Sequence, residues 1–437
     1  MDEIIDYLIR FLVGEAAFDY GAEAAPKVGY TSDETLFGNY DLVIIPSGFF
    51  SGGVYGTTAS LPALPLAEWE GAPVLFGRPE MEKAGQTLVL HADLVASAYF
   101  LLARYEEMVR REVRDVHGRF PGKESLPFRA GFIHRPVVDE YRLLLQKHLR
   151  ERIPGPALVQ PRLSGVEITH DVDAPFLYRS WKGFVRSLLH GRGLSKSIRN
   201  TFGKPENDPY YTFPRLLAEG QKLSRARRDV THTLFFKAGG NTPFDKPRYN
   251  PESRDISRIA FMFRENLQAN IGLHASYQAG KYPASGLIGK EKKRLEQAWN
   301  IPITCNRHHF LSSREPEDME FLLCSGISHD YTMGYADVAG FRLGTSHPVR
   351  WINPSSRRLT NLCLHPLAIM DCTLDGKDYM ALACEEARRY CLQLAANAGK
   401  AGGKLSILWH NSSLAEGNGS YQSALYSSLL SFLAEET

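Results

Sequence analysis

The sequence predicts an α/β protein: a small N-terminal α/β domain over residues 1–155, then a (β/α)7-type barrel over residues 156–437. Three observations carry this. Short apolar runs bounded by turn residues alternate with amphipathic stretches through the second half, the pattern of a parallel sheet. Ile153-Pro154-Gly155-Pro156 reads as a linker between the blocks. The strand opening the second block, Val166-Glu167-Ile168-Thr169, ends abruptly in His170-Asp171-Val172-Asp173 and then Pro175. In parallel α/β folds, chemistry gathers at the C-terminal ends of strands.

Composition sets the outer bounds. A chain of 437 residues exceeds the roughly 250–300 at which a single core stops growing, so two or three domains are expected. A net charge of +2 argues against a nucleic-acid partner. The N-terminus opens on Met1, Asp2 and Glu3, and its apolar residues recur at helical spacing around Asp6 and Arg10. That is no secretory signal, and no run is long enough to span a bilayer, so the expected location is cytoplasmic. The six cysteines show no CxxC pair and read as free, mostly buried thiols.

In the first block, residues 41–46 read as a strand and 47–53 as a glycine-rich loop, which lacks the lysine of a P-loop and the spacing of a dinucleotide fingerprint. Residues 73–77 and 88–90 are further strands. Residues 93–113 read as one long amphipathic helix, with Leu101, Leu102 and Tyr105 inward and Arg104, Glu106, Glu107, Arg110, Arg111 and Glu112 on a solvated face. Another helix covers 137–149. In the second block, strand candidates are 166–169, 231–236, 271–273, 303–305, 327–330, 362–363 and 405–408. Helical stretches at 214–224, 255–268, 286–299, 316–325 and 377–398 separate most of them. The segment 177–210 is basic, a solvated insertion or a lid over an anionic substrate such as a nucleotide-linked sugar.

Most of these strands deliver a titratable residue at the same end: His170, Asp171 and Asp173; His274; Arg307, His308 and His309; His329 and Asp330; His410. One lone histidine is usually structural. Five strands doing this together point to a carboxylate–imidazole site for a divalent metal, Zn²⁺ foremost, with Co²⁺, Ni²⁺ or Mn²⁺ as alternatives. A metal also offsets the cost of burying two aspartates one residue apart. The competing reading is a loop with an Asx turn and a helix cap.

From about residue 160 onward the chain resembles the polysaccharide deacetylases of the NodB-homology group, metal-dependent enzymes on a distorted β/α barrel. The resemblance rests on Asp171-Val172-Asp173, on His274-Ala275-Ser276-Tyr277-Gln278, on Arg307 and on Leu408-Trp409-His410. It implies Asp171 as general base, Asp173 as metal ligand, Arg307 as the arginine that orients the base and His410 as general acid. Glutamine stands at 278 where the group's second motif has its second histidine. His309 is expected to replace it as a ligand, because it follows a neighbouring strand and lies two positions from Arg307, with His308 facing away. The metal ligands expected are thus Asp173, His274 and His309. The whole pattern also resembles a cytoplasmic offshoot with an N-terminal domain of unknown role, through Tyr105-Glu106-Glu107, Asp115 to Phe120, His134 to Tyr141 and Gly340 to Thr345.

The expected activity is that of a metal-dependent, deacetylase-like hydrolase acting on an acetylated sugar or glycan precursor, a small molecule or an oligosaccharide, with Arg307 and Asp330 orienting Asp171 or His410. The alternative is a catalytically degenerate barrel that binds a sugar or nucleotide-sugar, or scaffolds glycan assembly. A glycosidase using Asp171 and Asp173 as its acid pair would need a carboxylate separation of about 5–9.5 Å.

Overall fold

The computed structural model describes residues 1–19, 25–415 and 419–436. The first block opens with the helix Asp2–Val13, which buries Ile4, Leu8, Phe11 and Leu12 and carries Asp2 and Glu3 in its first turn, where acids complement the helix dipole. A small sheet follows: β1 (Val28–Tyr30), β2 (Leu42–Ile44), β5 (Gly77–Ala84) and β6 (Thr87–Ala92) in the order β1-β2-β6-β5, beside the hairpin β3 (Ala67–Trp69) and β4 (Ala72–Val74). The glycine-rich loop is tied down by Ser47, whose amide and hydroxyl both donate to Asp93 at 2.7 Å.

The single helix expected over 93–113 is two. Asp93 caps Leu94–Leu102, every residue of which is buried, and a left-handed Arg104 (φ 56°) separates it from Tyr105–Val109. The charges expected in solvent are inside: Arg104, Glu106 and Glu107 are all buried. Glu106 pairs with Arg110 and Arg129 of the same block, whereas Glu107 has a partner from the second. Arg342 donates from Nε and Nη2 to the two oxygens of Glu107 at 2.9 and 2.8 Å, and Arg104 Nε joins them at 3.0 Å. The Ser346 amide likewise donates to Asp139 at 2.7 Å. The segments 105–107, 134–141 and 340–345 therefore meet along one seam, and the buried apolar residues of both blocks form a continuous cluster.

The second block is built on one curled sheet of nine strands. They are β7 (Gly165–Val172), β8 (Val230–Phe236), β9 (Asn270–Ala275), β10 (Cys305–His308), β11 (His329–Met333), β12 (Val349–Asn353), β13 (Arg358–Pro366), β14 (Ile369–Met370) and β15 (Lys404–Leu408). Their order is β12-β13-β11-β10-β9-β8-β7-β15-β14, parallel throughout except for the antiparallel β12–β13. The α/β class is as expected, but the count is not seven regular units, because β12 and β13 form a hairpin with no helix between. The segment 358–370 pairs with β11 through β13 and with β15 through β14, which curls the sheet back toward itself.

β7 is buried along its whole length and alternates cleanly. His170 faces the helices Arg254–Leu267 and Gln422–Glu435, its ring against Phe263 and Tyr426, with Nδ1 2.8 Å from the Trp409 carbonyl. It is a structural histidine. Glu167, Thr169 and Asp171 face the other way, into the curl.

Burial pushes the imidazoles of His170 and His232 down to about 4. In the unfolded chain both would charge near 6.5. The unfolded state then binds more protons below that value, so the contribution of these two rings to stability is complete above about pH 6.5 and is lost as pH falls toward 4. Thermal unfolding should have a lower midpoint at about pH 5 than at about pH 7, with a smaller difference in His232→Gln. Equal midpoints for the wild type would contradict this account.

Candidate active site

Asp171 closes the inward row of β7, and Asp173 stands just past its end. Residues two apart on extended chain share a face, so both carboxylates look into one cleft. β9 brings His274 to the same end. After β10 the chain turns sharply, with Phe310 (φ 63°) and Leu311 (φ 50°) both left-handed. Non-glycine residues rarely adopt that conformation, and here the turn carries His309 into the cleft. His274 Nε2 lies 3.1 Å from Asp173 Oδ1 and 3.6 Å from Asp171 Oδ2, and His309 Nε2 lies 3.3 Å from Asp173 Oδ1. One ligand atom from each of Asp173, His274 and His309 falls within 4.8 Å of the other two.

These donors fit a divalent cation. His274 Nδ1 is 2.9 Å from the Arg307 carbonyl, which can only accept, so Nδ1 carries the hydrogen. In the neutral ring, Nε2 then aims a lone pair at Asp173 Oδ1. Both atoms are buried without a hydrogen-bond partner, and two electron-pair donors in that position repel unless a proton or cation lies between them. Bonds of about 2.0–2.2 Å around a tetrahedral ion would set donors roughly 3.3–3.6 Å apart, close to the spacing here. Behind His309, Nδ1 is 4.0 Å from Asp245 Oδ1, an ion-pair distance too long for a hydrogen bond. The Gln278 carbonyl is engaged elsewhere, accepting from the Asn241 amide at 2.8 Å.

Two arrangements flank the triad. Arg307, with no exposed side-chain surface, donates from Nη1 to Asp171 Oδ1 at 3.0 Å and to Thr169 Oγ1 at 2.8 Å, and from Nε to the Tyr331 carbonyl at 2.9 Å. Opposite, His410 follows β15 with Nδ1 2.7 Å from Asp371 Oδ1 and Nε2 3.5 Å from Asp173 Oδ2. Burial disfavours a charged ring there, but the Asp371 carboxylate holds the His410 imidazole protonated well above its usual range.

Asp330, expected to orient Asp171 or His410, reaches neither. It accepts from Asn306 Nδ2 at 2.8 Å and from the Thr332 amide and hydroxyl at 3.0 and 2.8 Å. The expected strand stopped at Asp330, whereas β11 runs on to Met333 and leaves Asp330 near its start. The acid that does hold His410, Asp371, opens the short helix Asp371–Asp375 after β14. Its signal was an apolar pair ending in aspartate, like the end of β7 but only two residues long. His308 faces away from the cleft, its amide donating to Thr332 Oγ1.

The first block touches this site. Arg119 Nη1 donates to the Phe310 carbonyl at 2.7 Å while its Nε holds Asp115 at 2.8 Å, and the His117 ring packs against Phe310 at 5.1 Å. The segment 115–120 thus props the strained turn that carries His309. Arg119→Ala should weaken divalent-metal binding by about 10-fold or more, the scale of lost outer support, as read by competition with a chromophoric chelator. Unaltered affinity would mean that the turn holds its shape unaided.

Beyond Asp173, at Ala174 and Pro175, a cavity of about 680 Å³ opens beside the cleft. Arg179, Lys182, Arg186, Lys246 and Arg248 line it. Its wall includes the helix Trp181–Leu189, from the basic segment singled out in the sequence.

Residues 2–154 match a family of unknown function, DUF7033, so the match ends before β7. No curated protein matches the chain. Among solved structures, a Mycobacterium smegmatis protein described as a polysaccharide deacetylase is similar at 14% identity over 63% of this chain and 85% of its own, with a TM-score of 0.40. A mutant of a CE4-family pseudoenzyme with restored enzymatic activity is similar at 12% identity over 63% and 64%, with a TM-score of 0.31. Among the described residues, no helix is long and apolar enough to cross a membrane.

Proposed function

We propose that this chain is a metal-dependent, deacetylase-like hydrolase that removes an acetyl group from an anionic sugar or glycan precursor. The observation that supports it most is the unpartnered pair His274 Nε2 and Asp173 Oδ1, set between a carboxylate held by arginine and an imidazole held by aspartate. Asp173, His274 and His309 would hold the ion, Zn²⁺ first by its liking for imidazole and carboxylate. Such an ion supplies Lewis acidity for an acetyl carbonyl and lowers the pKa of water.

The protein's own groups then divide the proton work. Asp171, oriented by Arg307, accepts a proton from the attacking water. His410, charged and steered by Asp371, donates one to the departing amine or alkoxide. The arginine- and lysine-lined cavity beside the cleft supports a phosphorylated or nucleotide-linked substrate, whose charge those side chains would offset.

The test is acetate release from acetylated amino sugars, free, phosphorylated and nucleotide-linked, by metal-loaded full-length protein with and without chelator. His410→Ala should lower kcat by roughly 10²–10⁴ with little change in KM. A wild type that carries metal, binds these sugars tightly and never releases acetate would overturn the hydrolase reading in favour of a degenerate binding barrel.

A further inference from the structure

The inward row of β7 does not begin at the cleft. Glu167 lies six residues before Asp173, roughly 20 Å away along extended chain, at the opposite end of the sheet. It is buried, and a buried carboxylate requires a partner. Here the partner is His365 of β13, whose Nδ1 lies 2.9 Å from Glu167 Oε1. A carboxylate accepts, so it holds the hydrogen on Nδ1, and in the neutral ring Nε2 carries the lone pair. That nitrogen is hydrogen-bonded to His329 Nδ1 at 3.0 Å, on the first residue of β11, a contact that a bound ion would replace. Cys363 lies two positions before His365 and so shares its face of β13, and it is the register partner of His329. Tyr331 stacks on the His365 ring at 4.0 Å and 13°, fixing its plane.

One ligand atom from each of His329, Cys363 and His365 lies within 4.8 Å of the other two. His329 and Cys363 are half-buried, and His365 is buried. We infer that His329, Cys363 and His365 form a second metal site, at the end of the sheet opposite the cleft, for a thiophilic divalent ion such as Zn²⁺. Thiolate and imidazole donors select Zn²⁺ and its neighbours over Mg²⁺ or Ca²⁺. Glu167 plays the outer part of a carboxylate–histidine–metal arrangement, setting the tautomer and the plane of His365. Three protein ligands leave a fourth position for water or an incoming group. The inference does not depend on the cleft being catalytic.

Cobalt distinguishes the two sites, because the Asp173 triad has no sulfur. Full-length protein stripped of metal and titrated with Co²⁺ should develop thiolate-to-cobalt charge-transfer absorption that saturates by two equivalents, one for the cleft and one for this site. The band should vanish in Cys363→Ser and need at least about 10-fold more Co²⁺ in His329→Ala, a ligand loss at least as severe as losing outer support. It should persist in Asp173→Asn, and also in Cys372→Ser, which removes the thiol beside His410. No band at excess Co²⁺, or a band that survives Cys363→Ser, would overturn the site. Should Cys363→Ser fail to fold, an unchanged titration of His329→Ala, at a half-exposed position, would overturn it equally.

Discussion

Asp171→Asn is expected to abolish acetate release while the protein keeps its fold and its metal. The amide preserves the shape of the side chain, and its carbonyl can still accept the 3.0 Å hydrogen bond from Arg307 Nη1. What it cannot do is take a proton from water, so the loss should reach at least the roughly 10²–10⁴ of a missing general base. Arg307 loses its counter-charge but keeps Thr169 Oγ1, the Tyr331 carbonyl and the Phe235 face, its guanidinium carbon 4.6 Å from the ring centroid, so unfolding is not expected. Asp173→Asn should behave differently. Asp173 Oδ1 is the oxygen shared by His274 and His309, and neutralising it should cost metal affinity first and turnover only in consequence. Metal content and single-turnover acetate release, measured on both variants, separate the roles. Metal lost from Asp171→Asn and kept in Asp173→Asn would mean that the two aspartates exchange places.

The end of the sheet that gathers these side chains is legible because its signals are local. An apolar run that breaks into His-Asp-x-Asp, and strands ending at His274, Arg307 and His410, each need only a few neighbouring residues to be read. Strand alternation predicts His308 and His309 on opposite sides, but β10 ends at His308, and the left-handed turn after it, which alternation does not foresee, is what carries His309 inward. Asp371 was not legible, because β14 is two residues long and offers no periodicity. Asp330 misled for the opposite reason: β11 extends beyond it, so an apparent strand end lies near the strand's start. β12 was missed altogether. Its Val349-Arg350-Trp351-Ile352-Asn353 pairs with β13 across a tight turn, and it lacks the helix that marks the other units.

The charges of residues 104–107 were misread on physical grounds that are instructive. Helical spacing assigns them an outer face, and partners distant in sequence, Arg342 for Glu107 and Arg129 for Glu106, turn that face inward. A separate contact gives the first block a bearing on the cleft. Arg119 reaches the turn behind His309, so the segment that carries no catalytic group of its own still helps to shape the site.

Glu107→Ala should be among the most destabilising single changes in the chain. Glu107 is the shared counter-ion of Arg104 and Arg342, all three side chains nearly solvent-free. Burial alone would raise its pKa, but the two guanidinium groups hold it down to about 2. Truncation leaves two buried cations with only neutral contacts: Arg342 Nη1 to the Gly334 carbonyl and its guanidinium over the Tyr335 ring, and Arg104 to Ser313 Oγ and the Ser313 carbonyl. Removing one partner of a buried ion pair typically costs about 3–5 kcal/mol, since desolvation of the survivors is no longer offset. Because Arg342 belongs to the second block and Glu107 to the first, the loss should appear in both at once. Urea unfolding followed by tryptophan fluorescence, with Trp69 in the first block and Trp351 in the second, should still show one coincident but much earlier transition. Glu107→Gln, which keeps acceptor and shape but not charge, should fall between the two. A loss below about 1 kcal/mol in the alanine variant, the range of an exposed pair, would mean that water reaches the guanidinium groups and that Glu107 does not hold the seam.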